Sequence, residues 1–187
     1  MKYYVLKAMI VLACIAFLAG SAGAVKISPA LQMDTYTDAE SADQSFGEDS
    51  AIWVASQGGV PAKIAYLSFG GMTTLPQQVK SASLKMYAKE IERPGRVSLY
   101  LYDNAAMDTI TWSDQPKYGA EALGSLDIQE TGWQTWDATD FVKKAAEECS
   151  EGCPFSLVLV AEGDASISFA SLEGAAEEIA VLEYEAS

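Results

Sequence analysis

Apolar and polar residues alternate along most of this chain, and they do so over short stretches. From Arg96 to Tyr102 the alternation is unbroken, with Val97, Leu99 and Leu101 pointing one way and Ser98, Tyr100 and Tyr102 the other. A period of two residues marks an extended strand with two unlike faces. The same reading predicts strands over Ala51–Ser56, Lys63–Phe69, Ser83–Lys89, Gly124–Ile128, Trp133–Trp136, Phe155–Ala161, Ile167–Ser171 and Ile179–Tyr184. Pro94-Gly95 reads as a turn, so Ser83–Lys89 and Arg96–Tyr102 are expected to form an antiparallel hairpin. Many short strands punctuated by Gly, Pro and Asp predict an all-β fold, an antiparallel β-sandwich of the jelly-roll kind.

One segment changes period. Phe141, Val142, Ala145 and Cys149 share a face at helical spacing, which predicts one short helix. Asp137 or Thr139 can cap its start, and Gly152-Cys153-Pro154 ends it.

The first residues follow neither pattern. Lys2 and Lys7 precede an apolar run, Ala8–Leu18, which closes in Ala22-Gly23-Ala24. A basic start, an apolar centre and a small-x-small end predict a signal peptide over residues 1–24, cleaved before Val25. The run is shorter than the roughly 20 residues that span a bilayer. Residues 25–187 are therefore expected to form a single domain, secreted and free of a membrane span, in the extracellular space or attached to the cell envelope.

Composition narrows the chemistry. The chain carries 26 acidic and 12 basic residues, a net charge of −14, and no histidine. Loss of the leader removes two lysines and no acid. Such a surface repels nucleic-acid phosphates, so nucleic acid is excluded as a partner. Without histidine there is no Ser-His-Asp or Cys-His arrangement and no histidine zinc site. Nothing in the sequence marks any carboxylate pair for glycoside hydrolysis. No catalytic residues are assigned, and no enzyme is expected. Cys149 and Cys153, a close pair in an exported chain, predict a disulfide that contributes roughly 2 kcal/mol.

From Asp34 onward the chain resembles the DNRLRE family. The resemblance rests on Asp34-Thr35-Tyr36, Ser45-Phe46-Gly47, Ile64–Phe69, Leu75-Pro76 and Val79–Tyr87, in that order. Thr109-Ile110-Thr111-Trp112 with Pro116, and Trp136-Asp137-Ala138-Thr139 with Val142, are its sharper landmarks, and Phe169–Ser171 and Ala180–Tyr184 close it. These modules are carbohydrate-binding-module-like β-sandwiches found beside polysaccharide-degrading enzymes or in surface proteins, including disaggregatase-related ones. The resemblance thus implies a secreted, non-catalytic module that binds a cell-surface or extracellular polysaccharide. The alternative is a structural or adhesive component of the cell envelope with no affinity for free sugar.

The resemblance places Asp34 near the first strand and Asp137 before the helix, and comparable jelly rolls tie their chain ends with calcium. A structural calcium on Asp34 and Asp137 is the resulting expectation, with a turn at Asp34 and a helix cap at Asp137 left open as alternatives. Sugars stack their CH faces on aromatic rings. Tyr100 and Tyr102, opposite Val97 and Leu99, are expected to be exposed, and with the loop-side Tyr118 and Trp133 they form the candidate ligand platform. The acidity favours a neutral or amine-bearing glycan.

Overall fold

The computed structural model describes residues 23–102, 109–149 and 152–187. All but the last two residues of the expected signal peptide lie outside these. Among the described residues, eleven strands and one α-helix follow in the order β1 (Val25–Ile27), β2 (Leu31–Asp38), β3 (Ala51–Gln57), β4 (Val60–Gly71), β5 (Val79–Arg93), β6 (Gly95–Leu101), β7 (Gly124–Ile128), β8 (Gly132–Asp137), α1 (Thr139–Glu148), β9 (Pro154–Ala161), β10 (Ser166–Ala170) and β11 (Val181–Ala186). The nine expected strands are β3 to β11. Two N-terminal strands, β1 and β2, join them.

Every strand pairing is antiparallel. The pairings form one continuous sheet that curls into two layers. One layer runs β2-β4-β9-β6-β7. The other is organised on β5: β8 pairs along one edge, while β11 and β10 lie end to end along the other. β1 extends this second layer beyond β11. β3 joins the layers, pairing with the start of β4 and with the whole of β10. Its turn into β4 is Gly58-Gly59, both at positive φ (57° and 78°), where glycine alone is unstrained.

The expected hairpin of Ser83–Lys89 with Arg96–Tyr102 does not form. β5 pairs with β8, β10 and β11, and β6 pairs with β7 and β9. Pro94 removes an N–H from the chain at this point, and the chain crosses from one layer to the other instead of turning back within one sheet.

Between the layers lies the main core. Leu84, Met86, Leu182 and Phe169 of the β5 layer meet Leu67, Phe69, Val97, Leu99, Leu157 and Leu159 of the β4 layer. Trp136 crosses the gap: its indole N–H donates to the Val97 carbonyl at 3.1 Å, and its ring lies 5.8 Å from Phe169. Phe155 and Tyr184 make a second crossing at 5.8 Å. Burial of each such large side chain contributes about 1.5–3 kcal/mol. Phe155–Tyr184 joins the two layers, whereas Trp136 and Phe169 both belong to the β5 layer and Trp136 reaches across through its bond to Val97.

Helix α1 closes one end of the sandwich through Phe141, Val142 and Ala146. Asp137 Oδ1 accepts from Thr139 N–H at 2.9 Å at the helix start. The Cys149–Cys153 disulfide follows the last turn. Gly152, at φ 85°, donates its N–H to the Met72 carbonyl, and Met72 N–H donates to the Cys153 carbonyl. The clip is thereby held against the end of β4.

This approach leaves no room for a side chain at Gly71, where a Cβ would stand 2.4 Å from the Gly152 carbonyl oxygen. Both contacting groups are backbone, and neither can rotate away. Gly71→Ala is expected to cost about 2 kcal/mol or more by overpacking, read as a lower urea midpoint. Unchanged stability would mean that the clip moves freely relative to β4.

Candidate functional site

β5 and β8 set out the most accessible aromatic surface. Strand alternation sends Trp136 into the core and turns Trp133 and Thr135 outward, just as Leu84 and Met86 face in while Lys85 and Tyr87 face out. The register places Tyr87 opposite Trp133 and Lys85 opposite Thr135. The two rings meet edge to face at 5.6 Å, and Trp133 is 48% exposed. Along the same face Glu183 pairs with Lys26 at 3.0 Å and with Lys85 at 3.5 Å. Those hydrogen bonds and charges, Lys26 first, hold the Glu183 carboxyl below its ordinary range. The outcome is an open aromatic pair with hydroxyl, ammonium and carboxylate groups beside it.

The other tyrosines lie elsewhere. Tyr102 is buried, only 6% exposed, in a second cluster on the outer face of the β4 layer with Ile64, Tyr66, Ile110, Val158 and Val160. Tyr100 and Tyr118 are half-buried against this cluster, their rings 5.2 Å apart. The exposure expected of Tyr102 is therefore not found. Residues 109–119 fold across that face: Gln115 Oε1 accepts from both Thr37 and Tyr66 hydroxyls, and Ser113 N–H donates to the Ala42 carbonyl. Burial pushes the Tyr66, Tyr102, Tyr100 and Tyr118 hydroxyls above the ordinary phenol range. Of the four aromatic residues singled out in the sequence, only Trp133 stands open, and its partner Tyr87 was not among them.

Asp34 and Asp137 are also separated. Asp34 belongs to β2, one edge of the first layer, where it lies opposite Leu67. Asp137 ends β8, with its carbonyl oxygen against Gly124 of β7, the opposite edge of that layer. Asp137 serves the helix start, and its accepted bonds from Thr139 lower its pKa. Asp34 and Asp137 share no hydrogen-bond partner among the described residues. Among the described residues, no three carboxylate or thiol groups cluster closely enough to hold a metal ion.

Asp34 instead sits in the wall of a cleft of about 540 Å³, lined by Met33, Glu48, Asp49, Leu172 and Glu173 among others. The 45–49 loop is fastened there by Phe46 stacked on Tyr36 at 4.4 Å and by the Tyr36 hydroxyl donating to Asp49 at 3.1 Å. Asp34 is 5% exposed. One carboxylate oxygen, Oδ2, accepts from Leu172 N–H at 2.9 Å, and the buried Oδ1 has no hydrogen-bond partner. Burial raises its pKa to about 6, opposed by the bonds it accepts and reinforced by the nearby Glu173 charge. Nothing in the sequence singles out this cleft: Glu48 and Asp49 are two of 26 acidic residues, and Glu173 lies too far along the chain to be associated with them.

The family model for Carbohydrate-binding module family 96 matches residues 26–184. No curated protein matches the chain.

A buried carboxyl with a raised pKa favours its neutral form in the fold, so its charge weakens the fold as pH rises from about 4 through 6. Asp34→Asn removes the charge and keeps an oxygen for Leu172. The variant is expected to match the parent near pH 4 and to gain on it by on the order of 2 kcal/mol near pH 8. Urea unfolding at both pH values measures the difference, and a gap independent of pH would refute the assignment.

Proposed function

The chain belongs to Carbohydrate-binding module family 96, and from that membership we propose a secreted, non-catalytic module that holds a polysaccharide on the outer face of the β5–β8 pair. The observation that carries this reading is the exposed Trp133 ring braced by Tyr87. An indole at the surface of a sheet offers a flat apolar face to the CH side of a sugar ring, and aromatic anchors of this kind dominate binding energy. Thr135 and Lys85 lie beside it to take up sugar hydroxyls. An open surface suits an extended chain, whose successive rings lie along the strands. Export is supported by the leader pattern of residues 1–24 and by the paired cysteines, which persist outside the reducing cytosol.

A glycan-array and envelope-polysaccharide screen of the purified protein tests the reading. Saturable binding to a defined glycan is expected, with at least a tenfold loss on Trp133→Ala and a smaller loss on Tyr87→Ala, at unchanged circular dichroism. A folded protein that binds no glycan would instead be the envelope component. Binding that is indifferent to Trp133 would move the site off this face.

A further inference from the structure

The cleft at Asp34 belongs to no part of the β5–β8 platform, and its chemistry is of one sign. Four carboxylates, Asp34, Glu48, Asp49 and Glu173, line it, with no lysine or arginine among the described lining residues. Its volume of about 540 Å³ falls within the roughly 300–1,000 Å³ usual for small-molecule sites. A bare ion needs far less, about the roughly 30 Å³ of one water. The carboxylates are also not drawn together at metal-binding distance. Met33, 40% exposed, and Leu172 supply apolar contact between the charged groups.

The second observation is Asp34 itself. Asp34 is 95% removed from solvent; its Oδ2 accepts from Leu172 N–H, while its buried Oδ1 is an unsatisfied acceptor in a low-dielectric setting. In its ionised form it adds its field to that of the rim carboxylates, Glu48, Asp49 and Glu173, whose side chains are exposed. Two rim carboxylates already have hydroxyl donors, from Tyr36 to Asp49 and from Ser171 to Glu173, which fix their positions. An ammonium group with three N–H donors on an apolar carbon frame matches this arrangement.

We propose that this cleft is a second, charge-selective subsite that takes the free ammonium group of an amino sugar. That the amine is carried on a saccharide rests on the carbohydrate-binding reading above, whereas the preference for an organic cation rests on the cleft alone. The subsite accounts for how so acidic a module could grip a polymer, with the cationic sugar held at the cleft and neighbouring rings free to lie elsewhere on the surface.

Calorimetry with three tetrasaccharides that differ at one carbon tests the proposal: β-1,4-linked glucosamine, N-acetylglucosamine and glucose, at a pH where the amine is protonated. The glucosamine form is expected to bind about 10-fold or more tightly than either of the others, and added salt is expected to erode the preference. Glu48→Gln with Glu173→Gln, both on the exposed rim, should abolish the preference, and Trp133→Ala should leave it standing. Equal affinity for all three sugars would overturn the subsite, as would a preference that survives the double substitution. Stoichiometric displacement of the amine by calcium would assign the cleft to a metal and overturn it too. A preference lost in Trp133→Ala would place the cation on the platform and likewise refute a separate subsite. Loss of neutral-glycan binding in Trp133→Ala bears only on the platform, so the two readings fail separately.

Discussion

The contact between the layers is made by a few large side chains, with Trp136 at its centre. Its indole reaches from β8 to the Val97 carbonyl of β6 and packs against Phe169. By alternation, a strand that sends Trp136 inward must send Trp133, three residues earlier, outward. The buried tryptophan and the exposed one are thus consequences of a single register. Slipping β8 by one residue against β5 would exchange every inward and outward position on the strand. It would expose the core and bury the aromatic platform together.

The two layers are not equivalent. The β4 layer is covered on both faces, inside by the β5 layer and outside by residues 109–119 with their own cluster around Tyr66 and Tyr102. The β5 layer is covered on its inner face, and its outer face keeps Tyr87, Lys85, Thr135 and Trp133 accessible. Binding surface is therefore available where the covering segment is not. The tyrosines beneath that segment contribute burial and edge-to-face ring contacts, 5.4 Å between Tyr66 and Tyr102.

Charge is distributed with the same asymmetry. On the outer face of the β5 layer, Lys26 and Lys85 share the carboxylate of Glu183, so the aromatic pair lies beside charges of both signs. At the β2 edge, Asp34, Glu48, Asp49 and Glu173 stand together without a basic counterpart among the described residues of the cleft. The net acidity of the chain says only that a cationic group is attracted. The loops after β2 and β10 decide where it is attracted, because they bring residues 48–49 and 173 beside residue 34.

Period-two alternation and turn residues were enough to show an all-β chain with strands β3 to β11 and the single helix, because both depend on neighbours a few residues apart. The signals for β1 and β2 were weaker, since β1 is three residues long and β2 is buried through its polar residues Asp34, Thr35, Thr37 and Asp38. The pairing of strands was not legible. Pro94-Gly95 looked like a hairpin turn, but it passes the chain between layers, and only the competition among all strands for neighbours decides that. Alternation in β6 likewise separates Leu99 from Tyr100 without saying that a segment from further along the chain covers the second face. Asp34 and Asp137 were expected around one ion, but they stand in different layers, on β2 and at the end of β8. Local sequence determines the faces of each element, through the geometry of one strand or helix. Which faces are covered, and which distant carboxylates share a cleft, is decided only when the layers pack.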